Sequence, residues 1–338
     1  LRPFEPPTRK KTRPRTSENP APMKKPIAFL RGKGIGRGNY RAARPFAPEP
    51  RDGVAPDPAA LAGAGARGYV RIVDPRVPDA HLHLFDLESA SPGSIRALAE
   101  EEGSGRGRRR ASACHDRAEF EATEAYREAG LSFELSFGIH PQNAVWDDAD
   151  FLAALARSGR IVAIGECGFE FSGDRPEWTR AKENEKLQRA VFEFQLGVAR
   201  EHVLPVVIHQ RKALDQVFAY ARELKALPAV VFHSWSGPAR EAESLLARGI
   251  RAFFSFGTPI LNGNRKAAAS CAALPDDAIL LETDAPWQAP RGERHCLPAH
   301  LDRVLAAAAA LRSVAPETLA EPVGLNYEAV FGAVKAPG

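Results

Sequence analysis

No two of the four cysteines, Cys114, Cys167, Cys271 and Cys296, stand at zinc-ribbon or redox-pair spacing, so a disulfide framework is not what stabilises these 338 residues. Long apolar runs are missing as well. A membrane-spanning helix needs roughly 18 to 20 apolar residues, and the nearest candidate is an alanine-rich amphipathic segment around Ala306–Ala310. The apolar centre of a signal peptide is absent too, since Ile27–Leu30 stops after four residues. These absences predict a cytoplasmic protein with no membrane span. Methionine occurs once, at Met23, a candidate translation start.

Acidic residues are scarce at one end only. Residues 1–45 carry 13 Lys and Arg against Glu5 and Glu18, a net of +11, and the remaining 33 basic and 40 acidic residues give −7. The overall +4 therefore belongs to the N-terminal region. Residues 1–76 are rich in Pro, Gly and Arg and poor in bulky apolar groups. Such a segment cannot bury enough surface to offset chain entropy, which predicts a disordered extension able to attract nucleic acid weakly and salt-sensitively. Gly32–Gly38 has the glycine density of a phosphate loop, but no strand precedes it and no Lys-Ser or Lys-Thr follows. A short strand is expected at Gly68–Val73.

With 44 % apolar residues the chain has ample material for a core, and from Pro78 its pattern becomes regular. Strand-like runs occur at Pro78–Leu84, Arg110–His115, Ser132–His140, Ile161–Phe169, Pro205–His209, Ala229–His233, Arg251–Phe256 and Ala278–Glu282. Helical segments alternate with them at Ser94–Glu102, Phe120–Ala129, Asp148–Ala156, Trp178–His202, Lys212–Leu224, Arg240–Arg248 and Arg265–Ala272. The clearest helical period is Leu187, Ala190, Val191, Phe194 and Val198. Eight β/α steps in roughly 255 residues have the rhythm of an α/β TIM (β/α)8 barrel. A single such domain is expected over residues 77–334. A doubly wound sheet shares the alternation, but polar residues suited to metal binding close the strands, and strand ends converge only at a barrel's mouth. The basic loop Arg106–Arg110 is expected on the opposite face, and a loop is expected after His83.

In the first strand, Asp79-Ala80-His81-Leu82-His83 places two imidazoles on one face, half of a metal site. Gly165-Glu166-Cys167-Gly168 ends the apolar run Ile161–Ile164 in a carboxylate, whose burial without a cation would be unfavourable. Pro205–His209 and Ala229–His233 each run as a buried strand into a histidine, and Ile279–Asp284 runs into acid before Pro286 turns the chain away.

These segments, together with Gly138-Ile139-His140-Pro141, His209-Gln210-Arg211, His233-Ser234-Trp235-Ser236-Gly237 and Glu282-Thr283-Asp284-Ala285-Pro286, resemble the TatD-type metal-dependent deoxyribonucleases of the amidohydrolase superfamily. Asn326 with Phe331-Gly332 resembles that family's closing helix. The resemblance implies a centre for two divalent ions, Mg²⁺, Mn²⁺ or Zn²⁺, with His81, His83 and Asp284 at one, His209 and His233 at the other, and Glu166 bridging. It implies phosphodiester hydrolysis by an activated water, with Asp284 and Glu166 catalytic. His140 would donate to the phosphate, and Arg211 and Gln142 would contact substrate. Arg211 could instead pair with an acid such as Glu170.

The sequence departs from the family at several places. Gln142 stands where a second histidine is common, Glu170 for aspartate, Lys212 for an acid, and Cys296-Leu297 for Asn-Glu. DNA or RNA is the expected substrate and a monomer the expected state. The same ligands would also serve an ester or amide hydrolase, aminoacyl-tRNA deacylation included. A different class is a barrel without turnover whose basic extension binds nucleic acid.

Overall fold

The computed structural model describes residues 77–332; the predicted disorder of residues 1–76, the glycine-rich segment and the strand at Gly68–Val73 lie outside the described residues. Eight parallel strands follow in sequence order: β1 (Asp79–Leu82), β2 (Arg110–Cys114), β3 (Glu134–Phe137), β4 (Ala163–Glu170), β5 (Val206–Arg211), β6 (Val230–Phe232), β7 (Ala252–Phe256) and β8 (Ile279–Leu281). Just past β8, the Asp284 N–H donates to the His81 carbonyl (2.9 Å) and the His83 N–H to the Ala285 carbonyl (2.8 Å). These bonds draw the last strand to the first, and the result is a nearly closed TIM barrel.

Around it lie α1 (Leu84–Ala90), α2 (Ser94–Gly103), α3 (Arg117–Ala125), α4 (Ala149–Ser158), α5 (Lys182–Glu201), α6 (Leu214–Ala219), α7 (Ala221–Lys225), α8 (Ala239–Ala247), α9 (Arg265–Ala273), α10 (Leu301–Arg312) and α11 (Pro316–Phe331). Strand alternation divides the core in two. Val207, Val231, Phe253 and Leu280 form an inner cluster with Ala80, Ala111 and Ala163, while Val206, Ile208, Val230 and Phe232 face the helices. Burial on both faces explains the unbroken apolar runs, each large side chain contributing about 1.5–3 kcal/mol. Tyr327 and Phe331 of α11 join the inner cluster, and the Tyr327 hydroxyl donates to Glu134 at the start of β3 (2.7 Å).

The basic loop before β2 lies at this same N-terminal end of the strands. Arg109 pairs there with Glu134 and Glu328, Arg108 with Asp302, and Arg110 with Glu102. Three expectations are corrected. His83 leads directly into α1, not a loop, because Leu84 and Leu87 bury one turn apart. The helix expected from Trp178 begins at Lys182, and Leu187 is 41 % exposed, so the buried stripe runs instead through Gln188, Val191, Gln195 and Val198. The segment Lys212–Leu224 is two short helices meeting at Tyr220. Strand β4 runs over Ala163–Glu170, close to the expected Ile161–Phe169, and Gly165 and Gly168 let β5 lie close against it.

Candidate metal centre

Glu166, 2 % exposed, stands at the middle of the C-terminal mouth with each carboxylate oxygen facing three imidazoles. Its Oε1 lies 3.2 Å from His81 Nε2, 3.4 Å from His83 Nε2 and 3.1 Å from His115 Nε2. Its Oε2 lies 2.7 Å from His233 Nε2, 3.4 Å from His209 Nδ1 and 3.5 Å from His140 Nε2. Asp284 completes the first side, its Oδ1 3.3 Å from His83 Nε2 and 3.9 Å from His81 Nε2. Residues from six strands or strand ends thus meet at one carboxylate.

Local structure explains the convergence. His81 and His83 flank fully buried Leu82 and turn toward the same carboxylate oxygen, their rings 5.0 Å apart. Register sets His209 opposite Gly168, where φ is +135° and a Cβ would fall 2.1 Å from the His209 carbonyl oxygen. Only glycine lets β4 carry Glu166 this close to β5. Asp79 ties β1 to the chain beyond β8. Its Oδ1 accepts from the Thr283 N–H (2.9 Å) and its Oδ2 from the Thr283 hydroxyl (2.6 Å), which holds His81 and Asp284 in register. Asp284 itself adopts φ +54°, a left-handed conformation that aspartate tolerates better than most residues.

Two glutamines on α5, seven residues apart and hence on one helical face, position the strand ends from outside. Gln195 accepts from the Ile139 N–H (2.8 Å) and donates to its carbonyl (3.1 Å), next to His140. Gln188 does the same for Glu170, at 3.0 and 3.1 Å. Glu170 accepts from the Gln142 amide (3.0 Å) and faces His209 Nε2 (3.2 Å). Glu170 is thus a partner of His209, and Arg211 lies 3.5 Å from Asp174. Gln142 also donates its N–H to His140 Nδ1 (3.2 Å) and accepts from the Trp178 indole (3.0 Å).

Burial pulls His81 down to about 4 and His140 to about 3, so both imidazoles are neutral near pH 7 and each retains a lone pair. Burial also opposes charge on His83 and His233. For His83 the hydrogen bond to Asp284 and the charge of Glu166 prevail and raise it to about 9. For His233 the charge of Glu166 and its hydrogen bond prevail and raise it to about 10. Glu166 would be raised by burial, but His233, His81 and His140 hold it well below the usual carboxylate range. Burial pushes Glu282 up to about 8 and Asp79 to about 6.

The donor set fits divalent cations. His81 Nε2 and His233 Nδ1 are buried without a hydrogen-bond partner, and a buried polar atom in that state is unfavourable unless something else satisfies it. Ligand atoms of His81, His83 and Asp284, of His81, Glu166 and His233, and of His140, Glu166 and His209 each lie within 4.8 Å of one another. Mixed imidazole and carboxylate donors suit Zn²⁺ or Mn²⁺ and admit Mg²⁺.

Three contributors lie outside the ligand set that the sequence motifs mark. His115 closes β2 much as the recognised histidines follow their strands, a signal that was available. Glu282, fully buried, accepts the Ser234 N–H (2.7 Å) and lies 3.9 Å from His233 Nδ1. The Gln188–Gln195 pair left only its seven-residue spacing as a trace.

Comparison with known proteins agrees with this geometry. A sequence profile of the family described as TatD related DNase matches residues 78–332. A protein of Erwinia amylovora named 3'-5' ssDNA/RNA exonuclease TatD is 33 % identical over 205 residues, which cover 58 % of this chain and 76 % of that protein. One of the same name from Klebsiella pneumoniae is 31 % identical over 207 residues, covering 58 % and 75 %. Among solved structures, YJJV, a TatD homolog from Escherichia coli k12, superposes with a TM-score of 0.66 at 23 % identity, covering 76 % of this chain and 98 % of its own. That last likeness is one of fold.

Proposed function

We propose, since the chain belongs to the TatD-related DNase family and is accordingly a metal-dependent hydrolase of phosphodiester bonds, that it removes nucleotides from the 3' end of single-stranded DNA or RNA. The direction and the single-stranded preference come from the names of its relatives. The observation that carries the reading is Glu166 buried in a ring of imidazoles beside Asp284 at the barrel mouth. His81, His83 and Asp284 would hold one divalent ion, His209 and His233 a second, and Glu166 would lie between them. Bound there, such ions lower the pKa of water and offset charge on the phosphate oxygens.

The chain's own residues supply the rest. Asp284, its other oxygen hydrogen-bonded by the Gln288 amide, orients the attacking water and accepts its proton. His140 accepts the Gln142 N–H at Nδ1, so its proton sits on Nε2, on the side of Glu166. That N–H is a neutral donor for a phosphate oxygen. Gln142 acts by fixing His140 and Glu170, and Arg211 is the candidate cation for the incoming strand. The catalytic unit is residues 77–334, acting as a monomer in the cytoplasm, and the basic residues 1–45 add salt-sensitive attraction for the strand.

The test is cleavage of 5'-labelled single-stranded DNA and RNA by metal-stripped protein given Mg²⁺, Mn²⁺ or Zn²⁺, with circular single strands and duplex as controls. The expected result is a ladder shortening from the 3' end that disappears in Asp284→Ala and is absent with circles. Cleaved circles would overturn exonuclease action. Hydrolysis of small esters without cleavage of any nucleic acid would overturn the substrate class. Nucleic-acid binding that survives without cation-dependent cleavage, and is lost on removing residues 1–45, would make the chain a binding protein.

A further inference from the structure

His115 is a residue for which the two-ion reading has no use, yet its Nε2 lies closer to Glu166 Oε1 than either His81 or His83 does, at 3.1 Å against 3.2 and 3.4 Å. It shares a donor group with His83 and Glu166, all within 4.8 Å. A second observation concerns what lies behind the ring. His209 turns Nδ1 to Glu166 and Nε2 to Glu170 (3.2 Å), and His233 turns Nε2 to Glu166 and Nδ1 toward Glu282 (3.9 Å). His115 has a similar arrangement, with Nε2 to Glu166 and Nδ1 3.5 Å from Glu119, whose carboxylate also accepts the His115 backbone N–H (2.7 Å). Metal-binding histidines characteristically have a carboxylate behind the far nitrogen, which selects the tautomer that leaves the near lone pair free. With its proton on Nδ1, His115 turns the Nε2 lone pair to Glu166 Oε1 for a cation to take up, in place of the hydrogen bond that an Nε2–H would donate to that oxygen.

We infer that His115 is a further imidazole ligand of the cation that His81, His83 and Asp284 would hold, with Glu119 orienting its ring. The inference rests on the proposed reading of the centre and extends it. Each oxygen of Glu166 then marks a position approached by three imidazoles. Imidazole is a better donor to Zn²⁺, Mn²⁺ or Co²⁺ than to Mg²⁺, so the first position favours the transition ions.

The experiment is titration of the full, metal-stripped chain with Co²⁺, followed by calorimetry and by the visible absorption of the bound ion. Wild type, His115→Ala, Glu119→Gln and His209→Ala are compared. His115→Ala is expected to weaken one of the two binding steps at least tenfold and to change the cobalt spectrum, while the other step is unaffected. Glu119→Gln is expected to weaken the same step by about tenfold or more, in the range of lost outer carboxylates. If His115→Ala does not fold, Glu119→Gln decides, and wild-type cobalt affinity in it overturns the inference. If His209→Ala loses an ion while His115→Ala binds both with wild-type affinity and spectrum, the inference alone fails. If wild type binds no cobalt, or His209→Ala binds it unchanged, the reading of the centre fails and the inference with it.

Discussion

Asp79 shows how much one buried side chain can organise. It is 3 % exposed and accepts from the N–H and hydroxyl of Thr283 across the seam of the barrel. Asp79→Ala would leave the Thr283 N–H buried without its acceptor, a loss of about 1–3 kcal/mol, readable as a lower urea midpoint of the metal-free protein. Because the same bonds align His81 with Asp284, the variant should also bind Zn²⁺ or Mn²⁺ more weakly. The imidazoles make a second, pH-dependent prediction for EDTA-treated protein. His83 and His233 are raised to about 9 and 10, so the stability they contribute is complete below the ordinary imidazole value of about 6.5 and is lost as pH rises through 9 and 10. Glu282, raised to about 8, acts in the same direction, since its ionisation in the folded state is disfavoured as pH climbs toward that value. Thermal unfolding followed by circular dichroism should therefore move to lower temperature from pH 7 to pH 10. A flat profile would contradict the assigned shifts.

At the scale of elements, α5 acts as a brace. Its buried stripe includes two polar side chains, and both are satisfied by backbone at the strand exits. Gln195→Leu keeps the bulk but removes both bonds to Ile139. About 1–3 kcal/mol of stability should be lost through the unpaired backbone groups, and His140, the next residue, should lose its position. The expected signature is a lower melting temperature and lower kcat with the cation affinity kept. A loss of cation affinity equal to that of His209→Ala would show that the brace serves the ligands and not His140. The β4–β5 pair makes the complementary point, because glycine at 168 removes the side chain that would separate the strands.

For the molecule as a whole, donors scattered from His81 to Asp284 meet only in the folded barrel, so ions that bind it stabilise it by mass action. A single site at a hundred times its dissociation constant contributes about 2.7 kcal/mol. The melting temperature should accordingly rise with Mn²⁺ or Zn²⁺ and return on adding EDTA, and His209→Ala should show a smaller rise. An unchanged melting temperature across the titration would leave the centre without cations.

Much of this was written along the chain. Strands buried on both faces must be continuous apolar runs, and helices over them must be periodic, so eight alternating units imply the barrel from the sequence alone. The residues His81, His83, Glu166, His209, His233 and Asp284 stood out because polar groups closing such runs have no role in packing. Packing across sequence decided the remainder. That Gln188 and Gln195 face inward, that Glu170 serves His209 while Arg211 faces Asp174, and that His115 completes the ring around Glu166 depend on strand register and on which helix covers which strand end. Local pattern reports whether a residue is buried and on which face. Only the folded barrel determines its partner, because hydrogen bonds and ligand contacts form between side chains tens or hundreds of positions apart.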